Sequence, residues 1–374
     1  MSKPGGLNRR GFVKLAGITA LARSGVLRAS GTASVGAERL AFVGVAGSGI
    51  HAYATGGKTW QLRQVIASEA PVCLAFNGSG QRLYVLNEVN EHEGLPCGLV
   101  ETYTVGAKSG MLDLLGRQAL SLSATMPRHL TVSPDGLTMV VAVHGGGAYN
   151  RLPILSDGSV GRVTGILKET GSGSVAEHQE AAHPQAVLFD TTGRRVIVSD
   201  LGSDRVSVLS VEEGLKVVAR YDMPEGSGPR HLALHPAGRL LYVGNALDGS
   251  LSAFSYDANA GMITECLWQT RENYREAMAM DPAGRFLYTA SKDVVTMWRI
   301  ESANGTLYKL DSRDAGSIGN VHGLTLHPDG QKLALLTDLG IAEMTATERS
   351  RLGKPALVAP VAGVRCVVTI GNRA

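Results

Sequence analysis

One pattern recurs six times along this chain and constrains its fold more than any other feature. A short run of alternating apolar residues meets a polar reversal that ends in glycine, and a second run follows. The copies are PVCLAFNGSGQRLYVLNE, PRHLTVSPDGLTMVVAVH, HPQAVLFDTTGRRVIVSD, GPRHLALHPAGRLLYVGN, EAMAMDPAGRFLYTASK and VHGLTLHPDGQKLALLTD. Their reversal glycines, Gly80, Gly136, Gly193, Gly238, Gly284 and Gly330, stand 45 to 57 residues apart. Apolar positions two apart, such as Leu232 and Leu234 or Leu241 and Val243, have the period of a pleated strand. Pro and Gly between them pre-set the backbone angles of a tight reversal. One such hairpin cannot bury both faces by itself, so it must stack on copies. A period of about 40 to 50 residues with several short strands per repeat is that of a propeller blade.

The two ends of the chain supply what the copies lack. RLAFVGVAGSGIHAYATGG, from Arg39, reads as two strands around a Gly-Ser-Gly turn, and VRCVVTI, Val364 to Ile370, as one orphan strand. A ring has no exposed edges only if its ends share a blade. The expectation is an all-β, seven-bladed β-propeller over residues 38–374, closed by pairing of the N- and C-terminal strands. Two longer spacings hold insertions, Asn87 to Leu112 with EHEGLPCG and Val160 to Ala182, both Gly-, Ser- and charge-rich and read as loops.

Residues 1–37 are not read as fold. Arg9 and Arg10 precede Gly11, Phe12, Val13 and Lys14 and a short, weakly apolar run, a pattern similar to a twin-arginine export signal followed by a linker. That predicts a periplasmic or secreted protein, or a cytoplasmic one if the leader does not function. The leader also explains the net charge of +3: its six basic residues and no acid leave the remainder mildly acidic. A mildly acidic body without a basic run argues against a nucleic-acid partner. No apolar stretch approaches the length of a membrane span. Cys73, Cys97, Cys266 and Cys366 form no CxxC pair. They read as buried free thiols ahead of the disulfides an exported protein could form, and they have no zinc spacing.

In a blade, residues just before the inner strand and just after the next one lie at the same mouth of the central channel. That rule gathers His129, His183, Arg230, His231 and His322 from strand starts, and Glu88, His144, Asp200, Asn245, Lys292 and Asp338 from strand ends. Converging titratable groups around a concave mouth are the usual form of a ligand site. A guanidinium there, such as Arg230, pairs with a carboxylate or binds an anion, and Glu88 is the candidate internal partner. His235 and His327, inside the HPAG and HPDG reversals, belong to the opposite mouth and read as surface turn residues.

PRHLTVSPDG, HGGGAYNRLPILSDGSV, HPQAVLFD, SDLGSDRVSVL, GPRHLALHPAGRLLYVGN and RCVVTI together resemble the seven-bladed propeller lactonases, which include the propeller type of 6-phosphogluconolactonase and the fungal carboxymuconate cyclase. The resemblance covers about residue 40 to the end. It implies a site built from a His in an HPH segment, the Arg of GPRH, a Glu in an N-E-L segment and an Arg in an N-R-G segment. Here His183, Arg230 and His231 match. The second HPH histidine is Gln185, the N-E-L segment reads Asn245, Ala246, Leu247, and the N-R-G segment reads Ser291, Lys292, Asp293. The early Y-x-x-N-E segment is intact at Tyr84, Asn87 and Glu88.

The resemblance implies a hydrolase that opens a sugar-acid or similar anionic lactone, monomeric and without cofactor. Opening a lactone needs a base for water and a positive group for the developing oxyanion. His183 would be the base, Arg230 and Lys292 the electrostatic partners, and Glu88, His129, His231 and Asn245 substrate contacts. Because Ala246 removes a carboxylate, the rival expectation is a degenerate propeller that binds a ligand or protein through the same mouth.

Overall fold

A computed structural model describes residues 39–106, 109–271, 274, 276–347 and 351–370. The proposed export leader lies outside them. Among the described residues there are seven sheets, and one short 3-10 turn (Gly316–Ile318) is the sole helical element. Taken from the inside outwards, the blades start at Val364–Ile370, Pro71–Phe76, Pro127–Val132, Pro184–Phe189, Pro229–Leu234, Ala277–Met280 and Val321–Leu326.

Closure occurs as expected. The last strand pairs antiparallel with Arg39–Val45, in register from Leu40↔Ile370 to Val45↔Val364, and Gly49–Thr55 and Gln61–Ile66 complete that blade. The reversal glycines also behave as expected, all six at φ between 67° and 73°, where a side chain would be strained.

Burial explains the sequence texture. Second strands such as Arg195–Asp200 and Leu240–Asn245 are buried on both faces between neighbouring blades, so they read as continuous apolar runs. Outer strands such as Lys216–Asp222 half-bury alternate residues and expose the rest. The core is accordingly seven clusters, one at each blade interface. Tyrosine hydroxyls tie blade to blade: Tyr84 donates to the Gly158 carbonyl and Tyr242 to that of Gly305, each at 3.0 Å.

Three readings are corrected. The span Asn87 to Leu112 is not all insertion, since Leu99–Val105 is the third strand of its blade, and Gly165–Lys168 is likewise an outer strand inside the second insertion. His235 and His327 are buried rather than on the surface; His235 Nε2 donates to the Gly284 carbonyl of the next blade at 3.0 Å. All four cysteines are free, but Cys266 is exposed.

Candidate active site

Five inner strands skip one residue in their pairing, always the second. The register shifts between Pro71 and Cys73, Pro127 and His129, Pro184 and Ala186, Pro229 and His231, and Val321 and Gly323. In the closing blade the same shift leaves out Arg365 between Val364 and Cys366. A bulge releases a residue from the ladder and re-aims its side chain. The released residues are Val72, Arg128, Gln185, Arg230, His322 and Arg365, and Glu276 stands at the matching position of the remaining blade. All seven line one cavity of about 490 Å³ at the channel axis.

The ring is electrostatically uneven. Glu88 follows the second strand of the blade whose released residue is the neutral Val72. It reaches both flanking blades: Arg128 Nη1 donates to its Oε1 at 2.6 Å, and Arg365 Nη2 donates to its Oε2. Both guanidiniums are thus held by one carboxylate of the protein. Burial lowers the pKa of Arg128, and Arg365 and Arg230 lower it further, against the pull of Glu88. His144 is pushed down to about 4, first by burial and then by the Arg128 and His183 charges, so its imidazole is neutral at neutral pH.

The sequence-chosen residues divide sharply. Arg230 lines the cavity as expected. Glu88 takes the counter-ion role foreseen for it, but with Arg128 and Arg365. His129 and His231 touch the cavity wall, yet their Nδ1 atoms face inter-blade partners. His129 Nδ1 accepts the Val187 N–H at 3.4 Å, and His231 Nδ1 lies 2.7 Å from the Tyr274 hydroxyl. Burial pushes His129 to about 4 and His231 well below its ordinary value, so both are neutral wedges between blades.

Three candidates sit elsewhere. His183 is absent from the cavity wall; its ring stacks on His144 at 4.3 Å, Nε2 donates to Glu180 at 3.0 Å, and Nδ1 turns to the His144 carbonyl. Gln185, two residues on, takes the lining place and donates to His144 Nδ1 at 2.9 Å. Asn245 is fully buried and donates to Ser250 Oγ at 2.8 Å. It belongs to a strand-end position that Asn87 and Asp200 share. Those two side chains each accept the N–H just before an inner strand, of Ala70 and of His183 respectively. Lys292, held at φ 49°, lines a different cleft of about 190 Å³ with Tyr274 and Trp298.

Arg128, Arg365 and Glu276 were missed. The signal for Arg128 was visible, because PRH occurs at 127–129 as well as 229–231. Among the described residues no group of three or more His, Cys, Asp or Glu could hold a metal ion, and no helix is long and apolar enough to cross a membrane.

Seven blades whose inner strands bring Arg128, Arg230, Arg365, Glu276, Gln185 and His322 to one axial cavity define a propeller with a charged, polar pocket at its channel. The chain belongs to the lactonase, 7-bladed beta-propeller family, whose model matches residues 41–338. An Arthroderma benhamiae protein named "Probable 6-phosphogluconolactonase" is 25% identical over 83% of this chain and 82% of its own length. The 6-phosphogluconolactonase of Bacillus subtilis is 26% identical over 63% of this chain and 68% of its own. The solved structure of Pseudomonas aeruginosa periplasmic gluconolactonase, PpgL, superposes with a TM-score of 0.79 at 23% identity, covering 90% of this chain and 100% of that one.

Proposed function

We propose that this protein is a lactone hydrolase that opens a sugar-acid or similar anionic lactone by water attack in the axial cavity. The observation that carries the reading is the ring of side chains on one cavity of about 490 Å³: the bulge-released Arg128, Gln185, Arg230, His322 and Arg365, with Glu276 at the matching position. Relatives named 6-phosphogluconolactonase support a lactone-hydrolysing reading. Guanidiniums suit both tasks of the site: holding a carboxylate or phosphate on the ligand, and stabilising the oxyanion as the carbonyl is attacked.

The rival reading, a binding module, draws on His183, which is tied to Glu180 and lies off the cavity wall, and on the missing carboxylate at Ala246. A panel of aldonolactones and phosphorylated lactones, followed by pH-stat at high protein concentration, separates the two. Acid release above the spontaneous rate supports the hydrolase. No release from any lactone, with sugar acids still bound, leaves the module.

The leader adds a proposal about place. Arg9 and Arg10 ahead of Phe12 favour export, with cleavage at about residues 29–37. An exported enzyme would meet unphosphorylated lactones. Replacing both arginines with Lys is expected to leave uncleaved protein in the cytoplasm, and normal export of that variant would sink the idea.

A further inference from the structure

The reading above leaves the water without a base, because His183 does not line the cavity. We propose that Glu276 is that base; the proposal rests on the lactone hydrolase reading. Each other candidate at the cavity is already committed. Glu88 has one oxygen on Arg128 and the other on Arg365. His129 and His231 have their Nδ1 atoms on partners in the next blade. His322 donates from Nε2 to the Val364 carbonyl at 2.9 Å, and its Nδ1 faces Asp338 at 3.9 Å.

Glu276 differs from all of these. It lines the cavity, and among the described residues its carboxylate has no hydrogen bond or ion pair. It stands immediately before Ala277–Met280, with Arg230 and His231 on the preceding inner strand and His322 on the following one. Arg230 and Glu276 line the same cavity from neighbouring blades, and the Tyr274 hydroxyl feels both charges. A base and an oxyanion partner on neighbouring blades form the minimal pair for acyl transfer to water.

The step balances with these groups alone. The Glu276 carboxylate takes a proton from water as the water oxygen bonds to the lactone carbonyl carbon. The carbonyl π pair moves to its oxygen, facing Arg230. Collapse breaks the ring C–O bond, the departing ring oxygen takes the proton from Glu276, and the open hydroxy acid leaves.

The test uses the full protein on a lactone it turns over. Glu276→Gln preserves shape and removes the base; kcat is expected to fall at least about 100-fold with KM changed less than about threefold. The acidic limb of the pH profile should vanish with it. Formate should restore part of the activity of Glu276→Ala, which a purely structural role would not allow. If Glu276→Gln keeps more than about a tenth of native kcat, or if formate restores nothing, Glu276 is not the base while the hydrolase reading stands. A native protein that hydrolyses no lactone overturns both.

Discussion

The tripeptide Pro-Arg-His occurs twice, at 127–129 and 229–231, at the same place in two blades, and has two different fates. In both copies the proline starts the inner strand, the arginine is released by the bulge and the histidine wedges between blades. The difference comes from the neighbours. Arg128 has Glu88 at 2.6 Å, sent across from the adjoining blade. Arg230 stands between Gln185 and Glu276 in the ring. His129 meets a backbone N–H, and His231 meets the Tyr274 hydroxyl. Local sequence thus decides where a side chain is delivered, and the next blade decides what it does there. Both arginines line the axial cavity, and Arg128 does so while paired with a carboxylate from the adjoining blade.

The harshest way to break the comparison is to remove what both copies lean on. Deleting residues 362–374 takes away the strand Val364–Ile370, the innermost of the closing blade, together with Arg365. It leaves Arg39–Val45 as an unpaired inner edge and uncovers two interface clusters. Loss of cooperative melting or of soluble expression is expected; a truncated protein that melts like the native one would show the ring does not depend on closure.

The two arginines should then separate by readout. Arg230→Ala is expected to weaken binding of a carboxylate-bearing ligand by about 1.5–3 kcal/mol, roughly 10- to 150-fold, with little change in melting temperature. Arg128→Ala should do the reverse: a smaller loss of affinity and a loss of about 1 kcal/mol of stability, because Glu88 keeps one partner of two. Titration calorimetry and thermal melts on both variants check this, and equal effects would abolish the distinction.

The histidines sharpen it through pH. His129 is held neutral, with a folded-state pKa of about 4 against an ordinary value of 6.5, by burial. The folded form therefore binds fewer protons than the unfolded one between those values. Stability is full above about pH 6.5 and falls as pH drops towards 4. At pH 5 this linkage amounts to about 2 kcal/mol. His129→Gln keeps an acceptor for the Val187 N–H without titrating, so its stability should decline less between pH 7.5 and 5. Parallel slopes for native and variant would show that His129 does not contribute.

The fold was legible because the reversals demand it. A glycine at φ near 70° has few substitutes, so six of them at a near-regular spacing survive as a visible mark. Closure was legible because unpaired edges at both ends had only each other. The site was less so. A bulge after the first inner-strand residue leaves no compositional trace, yet it decides that Arg230 faces the cavity while His231, one residue on, wedges between blades. The same offset sent the reading to His183 where Gln185 lines the wall, while Lys292, a strand-end residue, lines another cleft. Glu276 had no motif to mark it; its significance comes from standing where the other blades place their released residue.

The finest test addresses the one contact that makes the two copies unequal. Glu88 pairs with both Arg128 and Arg365 and offsets one of their two positive charges, so their pull on a ligand anion is reduced. Glu88→Gln keeps the size and one acceptor oxygen but removes the charge. Two guanidiniums from different blades would then stand unneutralised beside Arg230, and their mutual repulsion should lower stability by about 1 kcal/mol. Inorganic phosphate or gluconate should bind roughly 3- to 10-fold more tightly, and that gain should shrink as ionic strength rises and screens the exposed part of the field. Competition assays at low and high salt read both effects. If anion affinity is unchanged, Arg128 and Arg365 do not face the ligand, and the cationic side of the cavity reduces to Arg230.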